Sequence, residues 1–152
     1  MHSRIFQLSE VPVNKEDYIT EDEFIDGFVG MIADYVSSDT DRREDIQWLC
    51  SALKEYGIIY DENEESIIFL EGFKKKYFKE RFEKLRTTLQ NMSLEEFSSD
   101  SLAAFELASL IENRFSFYVY YEYTWQSLDN FVRSELKEGQ KYYIGGTLDY
   151  HC

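Results

Sequence analysis

The sequence predicts an α+β domain in which about five helices pack around one small sheet. Three observations carry that reading. Apolar residues recur at helical spacing behind capping residues in several separate runs. Two β-branched runs flank a short polar stretch at 58–70, the pattern of a hairpin. Residues 115–123 (FSFYVYYEY) alternate in the manner of a strand, and a further strand is expected at 141–151 with Gly145-Gly146 as a bulge. One proline, seven glycines and no internal repeat leave no linker in the 152 residues. Residues 1–152 therefore read as one domain, able to bury roughly 70% of its unfolded surface.

In chain order, Arg4 to Leu8 fits a short strand before Pro12. Thr20 and Glu23 form a capping box, with Glu21 and Asp22 in the favourable first turn. Phe24, Ile25, Phe28, Ile32 and Val36 continue the apolar arc, so a first helix is predicted from Thr20 to about residue 36. Gly27 and Gly30 weaken it by up to about 1 kcal/mol each relative to Ala and are read as room for a close neighbour. A second helix, capped by Asp41 with Glu44, turns Ile46, Leu49, Cys50 and Leu53 inward and stops at Gly57. Trp48 lies off that stripe, which places it against another element or at the surface.

Past the hairpin, Gly72 to Gln90 (GFKKKYFKERFEKLRTTLQ) predicts a helix of about five turns. Phe78, Phe82, Leu85 and Leu89 fall on one face, with Phe73 and Tyr77 nearly opposite. Ser93 and Glu96 form a further capping box before a short helical turn. The run from Leu102 to about Arg114 is apolar nearly all round, the mark of a buried helix. Trp125, Leu128, Val132 and Leu136 then form the stripe of a last helix ended by Gly139. That helix between two strands is compatible with a parallel βαβ unit or with an antiparallel placement through another strand.

The charge is uneven. Residues 1–72 hold 18 acids and 5 bases, residues 73–90 hold 2 acids and 7 bases, and residues 91–152 hold 10 acids and 4 bases. The total of −14 repels nucleic acid and anionic membrane and favours a basic protein partner. No run approaches the roughly 20 apolar residues of a membrane span, and the N-terminal residues lack the apolar core of a signal peptide. A cytoplasmic setting is expected, with Cys50 a buried free thiol. Oligomeric state is not specified.

Neither a metal nor a cofactor is expected. His2 and His151 sit at the chain ends, so a site with Cys152 needs those ends to meet, and terminal residues are expected to fray. Asp61, Asn63 and Glu65 resemble the opening of a calcium loop, but Ser66 stands where glycine is required and Gly72 where glutamate is. No phosphate-binding or dinucleotide fingerprint occurs, and no catalytic triad can be assembled. The expected function is a non-catalytic, acidic protein-interaction or regulatory module. Its sharper form is a nucleic-acid-mimicking inhibitor of a DNA-binding protein. The alternative is a small enzyme using carboxylate and tyrosine side chains.

The partner-facing candidates form three groups. Asp17, Glu21, Asp22, Glu23 and Asp26 crowd the start of the first predicted helix, where the helix dipole also favours them. Asp61, Glu62, Glu64 and Glu65 crowd the hairpin tip, where polar residues are ordinary. Trp48, and Tyr118 with Tyr120 on the strand face opposite Phe117 and Val119, complete the set.

Overall fold

The computed structural model describes all of residues 1–152. In chain order the main elements are β1 (His2–Ser9), β2 (Tyr35–Ser37), α1 (Arg42–Gly57), β3 (Ile58–Asp61), β4 (Ser66–Phe69) and α2 (Phe73–Asn91). There follow α3 (Leu94–Ser99), α4 (Ser101–Ile111), β5 (Tyr118–Tyr121), β6 (Thr124–Ser127), α5 (Leu128–Asn130) and β7 (Lys141–His151). The fold is α+β, with all seven strands in one mixed sheet of order β3-β4-β7-β1-β5-β6. β2 also pairs with β7, beyond the end of β4. β1 and β5 run parallel; β5 and β7 lie apart, with β1 between them.

The sheet is covered on both faces. On one, α1, α2 and the stretch from Leu128 to Leu136 close over a core of Phe6, Leu8, Val119, Phe69, Tyr142 and Ile144. On the other, residues 19–33 fold back over Ile5, Tyr118, Leu148 and Tyr150. An unbroken strand would put Tyr142, Ile144, Leu148 and Tyr150 on one face, because side chains alternate with period two. They divide instead, because β7 carries a bulge: Leu8 pairs with Ile144 but Phe6 with Thr147, so Gln7 faces two residues, Gly145 and Gly146.

That bulge is held from both sides. Gln7 accepts from the Gly146 amide at 2.8 Å and the Ile19 amide at 3.1 Å, and donates to the Asp17 carbonyl. Arg42 donates to the carbonyls of Ile144 and Gly145, each at 2.7 Å, and forks onto Glu65. A side chain at Gly145 would collide with Gln7, and one at Gly146 would crowd Tyr18 and Ile19. A Cβ on Gly145 would lie 2.3 Å from the Gln7 Oε1, and one on Gly146 would lie 3.0 Å from the Ile19 amide nitrogen.

Four expectations are corrected. The helix predicted from Thr20 to residue 36 is only a 3-10 turn at Glu21–Phe24, although the Thr20–Glu23 capping box forms. Gly27 and Gly30 both sit at φ +89°, outside the helical region, and Tyr35–Ser37 joins the sheet instead. Trp125 belongs to strand β6 opposite Tyr120, so the last helix begins only at Leu128 and passes into a π-helical turn at Phe131–Glu135. α4 is exposed: Leu107 alone is buried, while Leu102 and Phe105 are 70% and 60% exposed. Finally, the chain ends do not fray apart, because His2 pairs with His151 and the Cys152 amide donates to the Met1 carbonyl. No helix is long and apolar enough to cross a membrane.

Replacing Gly145 by alanine should lower unfolding stability by about 1–3 kcal/mol, because Gln7 must leave its hydrogen bonds or the strands must part. Urea denaturation of the G145A variant checks this. A change within about 0.5 kcal/mol, the range of an ordinary surface substitution, would mean the close approach is not there.

Candidate functional site

The parallel pair β1 and β5 ends on the same side of the sheet, and an open groove of about 790 Å³ lies there. Its walls are residues 7–13, 16–20, Glu23 and 120–123. The volume falls in the range of sites that take small molecules or peptide side chains. Five carboxylates (Glu10, Glu16, Asp17, Glu23, Glu122) and four tyrosines (Tyr18, Tyr120, Tyr121, Tyr123) line it, with no lysine, arginine or histidine.

Each wall has a local cause. Gln7 pins residues 17–19 against the β7 bulge, fixing Asp17 and Tyr18 at the groove. The Thr20 amide and hydroxyl both donate to Glu23, which orients that carboxylate. The turn between β5 and β6 is the two-residue pair Glu122-Tyr123, at φ +49° and +65°. Two successive left-handed residues make a type I′ hairpin turn, normally built from Asn-Gly. A glutamate and a tyrosine there cost of order 1–3 kcal/mol each, and Tyr123 stands 92% exposed.

Two cations already touch groove residues, Arg42 at 4.9 Å over the Tyr18 ring and Lys137 at Glu10. The Lys137 ammonium lies 2.8 Å from Glu10 Oε1, which also accepts from the Tyr121 hydroxyl at 2.8 Å. Lys137 and then Tyr121 hold the Glu10 carboxyl below its ordinary range. Glu10 correspondingly raises Lys137. Burial, and then the hydrogen bond to Glu10, push the Tyr121 hydroxyl upward, so it stays a donor. The edge of the groove is thus a carboxylate–tyrosine pair that binds an ammonium.

The sequence-derived candidates divide. Asp17, Glu23 and Tyr120 line the groove. Glu21 faces elsewhere, accepting from the Ser38 amide and hydroxyl at 2.7 and 2.8 Å, which lower its pKa. Asp22 and Asp26 are exposed outside it. At the hairpin tip every carboxylate has a partner in the chain. Asp61 accepts from the Asn63 and Glu64 amides, Glu62 pairs with Arg43, Glu64 with Lys141, and Glu65 with Arg42. Tyr118 is 3% exposed and packs against Phe28 and Tyr150. Trp48 is 43% exposed, with Arg4 5.3 Å over its ring and Phe117 edge-on at 5.0 Å. Sequence reasoning passed over Glu10, Glu16, Tyr18, Tyr121 and Tyr123. The signal for them is the Glu122-Tyr123 pair alone, placed where a hairpin turn calls for Asn-Gly.

Two buried carboxylate clusters lie elsewhere and are saturated. Asp45 accepts from Arg4, Thr40 and Thr147, while Arg4 continues to Asp149, which also meets His2 at 2.8 Å. Asp129 accepts two bonds from Arg81 at 2.6 and 2.8 Å, one from the Tyr77 hydroxyl and one from the Asn113 amide. Burial alone would raise Asp129, but the bonds from Arg81, Asn113 and Tyr77 outweigh it and lower its pKa. Every buried side-chain nitrogen and oxygen has a hydrogen-bond partner. No three His, Cys, Asp or Glu side chains are disposed to hold a metal. Burial raises the Cys50 thiol to about 11, so it is protonated at neutral pH.

In comparisons with known proteins, the chain matches no family model, no curated protein and no solved structure.

Asp129 yields a prediction with a definite sign. A lowered folded-state pKa gives stability that is present above the unfolded value and lost as pH falls through the folded one. Replacing Asp129 by asparagine should cost about 3 kcal/mol at neutral pH, and the gap from the unaltered protein should narrow below about pH 4. Unfolding curves from pH 7 to pH 2 measure it. A gap independent of pH would mean that the charge on Asp129 contributes nothing.

Proposed function

We propose that this protein is a non-catalytic interaction module whose acidic groove receives a lysine- or arginine-bearing segment of a basic protein partner. The observation that carries the reading is the groove lining, five carboxylates and four tyrosines without one cation, which already accepts the Lys137 ammonium at its rim. Carboxylates pair with the incoming charge, and tyrosine faces attract the same cations through their ring quadrupoles. When the partner is a DNA-binding protein, the carboxylates occupy the place of phosphates, which is the nucleic-acid-mimicking form of the same function. Saturation of the buried acids by arginine favours this reading over an enzyme, since a buried general acid or base needs an open partner. Two unpaired cysteines accord with a cytoplasmic setting.

Fluorescence anisotropy with a labelled peptide of alternating Lys and Gly, and a Glu-Gly control, tests the proposal. The basic peptide should bind and the acidic one should not. Affinity should fall with salt, since opposite charges are screened beyond about 8 Å at physiological ionic strength. Combining Glu16→Gln, Asp17→Asn and Glu122→Gln should weaken binding at least about tenfold with little change in the melt, whereas Asp22→Asn with Asp26→Asn should not. Equal affinity in the first variant would remove the groove as the site. The turn makes an opposed pair of effects: Glu122→Asn with Tyr123→Gly should raise stability by about 1 kcal/mol yet weaken peptide binding.

A further inference from the structure

α2, α3 and α4 leave a large apolar surface uncovered. Each helix contributes a pair at i,i+3 or i,i+7 spacing: Phe82 and Leu89, Leu94 and Phe97, Leu102 and Phe105. These six side chains are between 52% and 80% exposed. Side chains of this kind carry roughly 150–250 Å² each when aromatic and somewhat less when aliphatic, so the pairs present on the order of 600–800 Å². One partner in a stable interface of standard size buries about 800 Å². Isolated exposed leucines need no explanation, but six large apolar side chains left open on three consecutive helices, with α4 packed on both α2 and α3, point to a contact surface.

The charges around the patch decide what covers it. α2 holds seven bases and two acids, net +5, and only Arg81 forms an ion pair within the chain. Residues 94–112, spanning α3 and α4, hold five acids and no base, net −5, and none of those acids enters a salt bridge. The three helices of this platform are therefore neutral in sum, with positive charge on α2 and negative charge on α3 and α4, in a protein of net charge −14.

We propose that the platform is a homodimer interface, with α2 of one copy lying against α3 and α4 of a second copy. A two-fold axis makes such a contact self-complementary, because the positive helix of each copy meets the negative helices of the other, so the same pairing occurs twice. Because the three helices are neutral in sum, two strongly acidic chains can approach there without net repulsion. The platform shares no residue with the acidic groove, so its outcome leaves the groove reading untouched.

Sedimentation equilibrium of the full chain in the micromolar range tests this. The unaltered protein should show twice the chain mass. Leu102→Glu with Phe105→Glu, both at exposed positions, should give a monomer with an unchanged far-ultraviolet spectrum. Lys79→Glu with Lys84→Glu, and separately Glu95→Lys with Glu106→Lys, should each weaken association at least about tenfold, while an equimolar mixture of the two recovers a dimer. The mixing result separates ordered charge pairing from mere apolar stickiness. A monomer throughout the concentration range would overturn the proposal and assign the patch to a different partner. Dimers that survive the Leu102 and Phe105 changes, or charge variants that fail to recover on mixing, would overturn it equally.

Discussion

The architecture depends on one extra residue in β7. With Gly145 and Gly146 together facing Gln7, the parity of the strand reverses half-way along its length. Tyr142 and Ile144 therefore enter the helix-covered core, while Leu148 and Tyr150 enter the core under residues 19–33. β7 can then serve two partners along one edge, β4 near Lys141 and β2 near His151, with β1 on the other. Glycine is favoured at Gly145 by proximity rather than by φ, since the Gln7 side chain occupies the space a Cβ needs.

The groove inherits its position from the same place. Gln7 bonds to the bulge on one side and to residues 17–19 on the other, so the acidic wall of the groove is tied to the sheet centre through one side chain. Arg42 ties the same two parts together, bonded to the bulge carbonyls and stacked 4.9 Å from the Tyr18 ring. Arginines are the internal counter-ions of this protein: Arg4 and Arg81 neutralise Asp45, Asp149 and Asp129, carboxylates that burial would otherwise destabilise, and Arg42 pairs with the more exposed Glu65. With these arginines so engaged, other acids crowd the surface and the groove, and no lysine of α2 enters an ion pair.

Local signals were legible in the sequence and long-range ones were not. The capping boxes at Thr20–Glu23 and Ser93–Glu96, the Asp41 cap and the 58–70 hairpin all depend on neighbours a few residues away, and all form. The alternation of Phe117, Val119 and Tyr121 against Tyr118 likewise follows from the period of a strand. The helix expected after Thr20 failed because two glycines took the left-handed region, a choice open to glycine that apolar spacing does not reveal. The exposed α4 could not be foreseen from a nearly all-apolar helix, because the pattern reports only that the surface wants covering. The groove was hidden for a topological reason: it forms where Gln7 pairs with Tyr120, two residues with no local relation.

The division of β7 between two cores is the claim on which the sheet, the groove and the placement of residues 19–33 all rest. Nuclear Overhauser contacts from the two tyrosine rings measure it most directly. Tyr142 should show contacts to Phe131, with ring centres 5.6 Å apart, and Tyr150 to Phe28, at 5.4 Å, with no crossing between the sets. Contacts from Tyr150 to Phe131 or Phe69 would put both tyrosines on one face and contradict the bulge.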